Sequence, residues 1–116
     1  MIKMKVDEIV KAVGGKKLCG ESCSVEVSKA FSSDLMSDVL TIQTEGTLLI
    51  TGLANLQAIR TAEMSDINCI VFARNKRVTE EMIQLAEEND IVVIQTPCSV
   101  FKTSGELYKA GIEPLF

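Results

Sequence analysis

A chain of 116 residues suits one domain, 1–116, that buries about two thirds of its unfolded surface. Hydrophobic residues make up 47% and aromatic residues only 4%, so aliphatic side chains must build the core. A net charge of −4 excludes the clustered basic excess of a nucleic-acid binder, and no run reaches the roughly 18 apolar residues that span a bilayer.

The N-terminal "MIKMKVDEIV" has no signal-peptide apolar region, which predicts a cytoplasmic protein. In that compartment Cys19, Cys23, Cys69 and Cys98 are expected to be thiols rather than disulfides. Val6, Ile9, Val10 and Val13 recur at helical spacing and predict a first helix that stops at Gly14-Gly15. Lys17 to Cys19 reads as a brief strand, and Ser24 to Phe31 as a longer one with Val25, Val27 and Phe31 on one face.

The segment "SSDLMSDVL" at 32–40 places Leu35, Met36, Val39 and Leu40 on one helical stripe, with Ser33, Asp34, Ser37 and Asp38 on the polar side. This helix is expected to end before Gly46. As a catalytic acid and base, Asp34 and Asp38 would need environments that drive their pKa values apart, which the polar side of one helix does not provide. Ser33 as N-cap with Asp34 in the first turn is the plainer reading. A ligand or partner contact is the alternative.

Three similar units follow. "TLLIT" (47–51) leads to a helix over 55–65, "CIVFA" (69–73) to one over 79–88, and "IVVIQT" (91–96) to one over 99–110. Nearly unbroken apolar strands of this kind belong to a parallel sheet covered on both faces. Asn55, Thr79 and Ser99 are the expected N-caps, with Val78 and Ile83 as a hydrophobic staple. Gly111 suits the last C-terminal turn. Gly105, inside the last helix, reads either as close packing against a strand or partner or as a tolerated defect. The fold class predicted is α/β, a three-layer α/β/α domain with a mainly parallel central sheet of four to five strands.

In such a sheet, ligands bind beyond the carboxyl ends of the strands. Three segments meet that description: 51–55 with Thr51, Gly52 and Asn55, 73–76 with Arg74, and 96–99 with Thr96 and Ser99. They offer hydroxyls, amides and cations suited to a phosphate or nucleotide, or they are ordinary caps and turns. The basic run Arg74-Asn75-Lys76-Arg77 reads either as a solvated loop or as an anion site. Cys98, after Pro97 at a helix start, is the candidate reactive thiol. Cys19 and Cys23, spaced C-x3-C, make a poor zinc set. The chain contains no histidine, P-loop or dinucleotide fingerprint, which excludes histidine-based triads and those nucleotide-binding motifs.

"AFSSDLMSDVL", "GTLLITGLANLQAI" and "TPCSVFKTSGELYKAG", in this order, resemble the DRTGG domain family across residues 5–111. The literal DRTGG string is missing, and "VEVSKAFSSD" (25–34) stands in its place. The likeness is to small stand-alone members, some associated with iron hydrogenase, and to the domains in HPr kinase/phosphorylase, phosphate acetyltransferases and CBS-domain pyrophosphatases. It implies a dimeric three-layer domain that accompanies catalytic or nucleotide-sensing modules without supplying catalytic residues. On this resemblance Ser33, Asp34, Ser37 and Asp38 border a ligand or dimer groove.

The expected function is therefore a non-catalytic, homodimeric regulatory domain, without cofactor or metal, sensing an anionic metabolite or nucleotide at the rim. A structural adaptor for a partner enzyme, using the apolar "IEPLF" tail with Leu115 and Phe116, is the first alternative. A thiol or metal redox protein is the second.

Overall fold

Strand and helix alternate along this chain because short, nearly unbroken apolar runs take turns with runs of helical period. The computed structural model describes residues 3–20, 25–41 and 46–116. In chain order the elements are β1 (Met4–Lys5), α1 (Val6–Val13), β2 (Lys16–Cys19), β3 (Glu26–Val27), β4 (Lys29–Ser32), α2 (Met36–Val39), β5 (Thr47–Thr51), α3 (Leu56–Met64), β6 (Cys69–Phe72), α4 (Glu80–Glu88), β7 (Val92–Gln95), α5 (Val100–Ala110) and β8 (Glu113–Pro114).

The main sheet has six strands in the order β2-β7-β6-β5-β4-β8. All neighbours pair in parallel except β2, which runs antiparallel to β7. The short strands β1 and β3 pair separately, Met4 opposite Val27. The six strands include the short edge strand β8, formed by the C-terminal tail.

Alternation along each central strand feeds two cores. Leu48, Ile50, Cys69, Val71, Val92 and Ile94 face α1 and α5, where they meet Ile9, Val13 and Leu107. Leu49, Ile70, Phe72 and Val93 face the other way and meet Met36, Ala58, Ile59 and Met82 of α2, α3 and α4. The three layers follow from this alternation, since every inner strand is buried on both faces and needs helices on each.

The single strand expected over 24–31 is broken. Ser24 lies outside the described residues, and at Ser28 the backbone amides of Ser28 and Lys29 both donate to the Gly46 carbonyl, at 2.9 and 3.2 Å. A break of one residue reverses which face a side chain takes. Val27 therefore joins the α1 side, while Phe31 packs against the opposite core.

The second helix is also shorter than its stripe implies. Only Met36–Val39 is helical, with Met36 and Val39 buried and Leu35 and Leu40 exposed. Residues 42–45 lie outside the described residues. Gly15 marks the tightest backbone approach, because a Cβ there would sit 2.5 Å from the Gln95 carbonyl oxygen. This is where α1 hands over to β2. Gly105 packs against no strand, since a Cβ there would meet nothing within 4 Å.

Candidate functional site

Because β4, β5, β6 and β7 are parallel, their exits collect at one edge of the sheet, and the exit loops are stitched to one another. The Ala73 amide donates to the Thr51 carbonyl at 2.9 Å, and that of Thr96 to Phe72 at 3.0 Å. The Asn75 amide donates to Thr96 at 2.9 Å, and that of Arg74 to Cys98 at 2.7 Å. To reach these carbonyls Arg74 and Asn75 both take left-handed backbone, φ 67° and 54°. Two adjacent non-glycine residues held this way cost on the order of 1 kcal/mol each, a strain that recurs at functional sites.

The chain leaving β4 joins the same edge through the Ser33 amide, which donates to the Ile50 carbonyl at 3.0 Å. Here the capping expectation is corrected. Leu35 occupies the N-cap position of α2, and the Ser33 hydroxyl accepts the Leu35 amide at 3.0 Å in a local turn. Asp34 precedes the helix and turns towards β5. Its Oδ1 accepts the Thr51 hydroxyl at 2.9 Å and the Gly52 amide at 2.7 Å. The Thr51 hydroxyl in turn accepts the Leu53 amide at 3.1 Å.

Gly52 forms the floor between two opposite charges. From the place its Cβ would occupy, Arg74 Cδ is 3.4 Å away and Asp34 Oδ2 is 3.5 Å away. A Cβ at this position would make ordinary van der Waals contact with both. The second carboxylate oxygen of Asp34 and the aliphatic stem of Arg74 thus approach one buried glycine from its open side. Asn55 begins α3 by accepting the Ala58 amide at 3.0 Å, and Ser99 begins α5 by accepting that of Lys102 at 3.0 Å. Each cap satisfies one amide of its first turn and leaves others to face the rim.

Ser33, Asp34, Thr51, Gly52, Asn55 and Arg74 thus come from separate segments to one place. Thr96 and Ser99 lie in the adjoining loop. The Thr96 hydroxyl is buried, donating to the Val13 carbonyl at 2.7 Å and accepting the Cys98 amide at 3.2 Å. Ser37 and Asp38 are exposed on α2, and their side chains enter none of the hydrogen bonds that build the rim. Sequence reasoning missed a cavity of about 250 Å³ beside this edge, lined by Gly14, Gly15, Lys16, Asn75, Gln95 and Pro97. Its only signal was the Gly14-Gly15 pair followed by Lys16, which reads equally well as a helix stop.

The thiols divide by burial. Burial pushes the Cys69 thiol up to about 12, with neighbouring Cys19 adding to the effect, so it stays protonated and unreactive near neutrality. Cys19 is buried and donates to the Ile91 carbonyl. Cys98 is half-buried, its sulfur 3.5 Å from the Val13 carbonyl oxygen. Cys23 lies outside the described residues. Among the described residues no three His, Cys, Asp or Glu side chains group as a metal site, and no helix is long and apolar enough to cross a membrane.

In fold the chain is similar to the CBS and DRTGG domains of the regulatory region of Clostridium perfringens pyrophosphatase, solved in complex with the activator diadenosine tetraphosphate. The TM-score is 0.73 at 17% identity, and the match covers 92% of this chain and 47% of that one. The likeness is one of fold, and the chain spans about half the length of that regulatory region. No curated protein matches it in sequence. The DRTGG domain family model matches residues 8–110, from α1 to the end of α5. The chain belongs to the DRTGG domain family.

Proposed function

We propose that this chain is a non-catalytic regulatory domain, acting as a homodimer, that senses a nucleotide or other phosphorylated metabolite at the strand-end rim. The observation that carries the ligand part is the convergence of Asp34 and Arg74 over Gly52. Asp34 Oδ1 already holds the Gly52 amide, so that amide is not offered to a phosphate. Oδ2 is an acceptor for a sugar hydroxyl, the role a carboxylate plays in other parallel α/β nucleotide sites. The Arg74 guanidinium and the first-turn amides of α3 and α5 are the donors for an anionic group. The membership of a pyrophosphatase regulatory region in the same fold supports the regulatory reading. The histidine-free sequence supports a non-catalytic one.

Calorimetry on the whole chain with AMP, ATP, diadenosine tetraphosphate, acetyl phosphate and orthophosphate tests the ligand part. At least one phosphorylated compound is expected to bind, and Arg74→Ala to weaken it about tenfold or more, since a hydrogen bond to a charged group contributes roughly 1.5–3 kcal/mol. Uniformly absent heats would remove the sensing role.

A further inference from the structure

The rim draws only Arg74 from the basic run Arg74-Asn75-Lys76-Arg77. A second basic pair, Lys16-Lys17, stands far from that run in sequence. The fold brings the two together. Lys16 pairs with Gln95 at the end of β7, and the Gln95 side-chain amide donates to the Lys76 carbonyl. Where they meet lies the cavity of about 250 Å³ lined by Gly14, Gly15, Lys16, Asn75, Gln95 and Pro97. No Asp or Glu is on its wall.

The polar side chains of this wall are rich in donors. Lys16 brings an ammonium, and Asn75 and Gln95 each bring a carboxamide. Among the described residues the side chains of Lys16 and Asn75 enter no hydrogen bond or ion pair. Gln95 has used one of its two N–H groups on Lys76 and keeps the other.

Helix α1 ends at the same wall, and its last carbonyls would oppose an anion if they were bare. They are largely occupied. The Val10 and Lys11 carbonyls take the amides of Gly15 and Gly14 at 3.0 and 3.3 Å, and the Val13 carbonyl takes the Thr96 hydroxyl at 2.7 Å.

We propose that this cavity is a second anion site, which holds the phosphate or carboxylate group of a small metabolite between the Lys16 ammonium and the Asn75 and Gln95 amides. Hydrogen bonds from a cation to an oxyanion are the stronger kind, so Lys16 supplies most of the attraction and the two amides supply direction. A wall without a carboxylate has nothing to attract a metal ion, and Lys16 repels one. The volume falls below the roughly 300–1,000 Å³ of sites for drug-sized ligands, which restricts the occupant to a small molecule.

The site is separate from the one proposed above. In the sheet order the cavity lies on the β2–β7 side and Asp34 and Gly52 on the β5–β4 side, with the loop after β6 between them. The two adjacent left-handed residues of that loop serve one site each, Arg74 beside Gly52 and Asn75 on the cavity wall.

Titration of the full chain with orthophosphate, followed by proton–nitrogen correlation spectra at constant ionic strength, tests the assignment. Saturable shifts are expected at the backbone amides of Gly14 and Gly15 and the side-chain amides of Asn75 and Gln95. Lys16→Ala and Asn75→Gly are each expected to weaken this binding about fivefold or more. Glycine keeps the left-handed backbone of position 75, so the second variant removes only the carboxamide. Lys102→Ala, at an exposed lysine on α5, is expected to leave the shifts unchanged. A parallel titration with acetate separates the two sources: shifts at the same four residues assign a carboxylate, and a response to orthophosphate alone assigns a phosphate. Absence of saturable shifts at these residues, or shifts that persist undiminished in Lys16→Ala, overturns the second site. The rim is read separately at Gly52 and Asn55, whose response to phosphorylated compounds is expected to depend on Arg74 and not on Lys16.

Discussion

Asp34 and Gly52 are joined by a 2.7 Å hydrogen bond from the glycine amide to the aspartate carboxylate, linking the exits of β4 and β5. The same oxygen takes the Thr51 hydroxyl. Asp34→Ala removes both bonds, and since the aspartate is solvent-exposed the loss is expected to be about 1 kcal/mol by urea denaturation. Asp34→Asn keeps an acceptor at that place and removes the negative charge beside Arg74. It is expected to leave stability nearly unchanged and tighten orthophosphate binding severalfold in calorimetry.

The Thr103 hydroxyl is fully buried in α5 and has no hydrogen-bond partner among the described residues. Thr103→Val has the same shape and removes the unpaired polar group. It is expected to raise stability by about 1 kcal/mol, because an unsatisfied buried hydroxyl is costly while an apolar replacement is not. A denaturation midpoint that falls in this variant would show that the hydroxyl is bonded in solution.

Gly15→Ala is expected to be the reverse case. The new Cβ would press on the Gln95 carbonyl at 2.5 Å, with Val13 and Ile94 methyls 3.2 Å away. The obstacle is backbone, so β2 must move from β7 and the loss should be about 1–3 kcal/mol. Amide hydrogen exchange is expected to quicken in Lys16–Cys19 first.

Cys69 gives a pH dependence of known sign. Its thiol is raised by burial from 9.0 to about 12 in the folded chain. Below pH 9 both folded and unfolded forms are protonated and the contribution is fully present. Between pH 9 and 12 the unfolded thiol ionises while the folded one does not, so stability falls by about 1.4 kcal/mol per pH unit. Urea denaturation at pH 8, 9.5 and 10.5 should show a steeper decline for wild type than for Cys69→Ala. Parallel declines would mean that this thiol is not desolvated.

Local pattern revealed the three parallel strands because Leu48 to Ile50, Cys69 to Phe72 and Val92 to Ile94 are apolar at nearly every position, which only a doubly covered sheet requires. The caps Asn55, Thr79 and Ser99 were equally legible, since each bonds an amide three residues away. The break at Ser28 was not, because it is made by a carbonyl at Gly46, distant in sequence. Asp34 was misread for the same reason. Its partners stand 17 and 18 residues on, and they come within reach only once β4 has paired with β5. Which side of α5 is left exposed was not legible either, because it depended on how the helix lies on the sheet.

The hydroxyl of Thr96 reaches back to the last turn of α1, while the carbonyl of the same residue receives the amide of Asn75. One residue thus fastens the mouth of the molecule to a helix of the outer layer. The loop carrying Arg74 and the end of α1 are therefore held to one another through a single side chain and its own carbonyl.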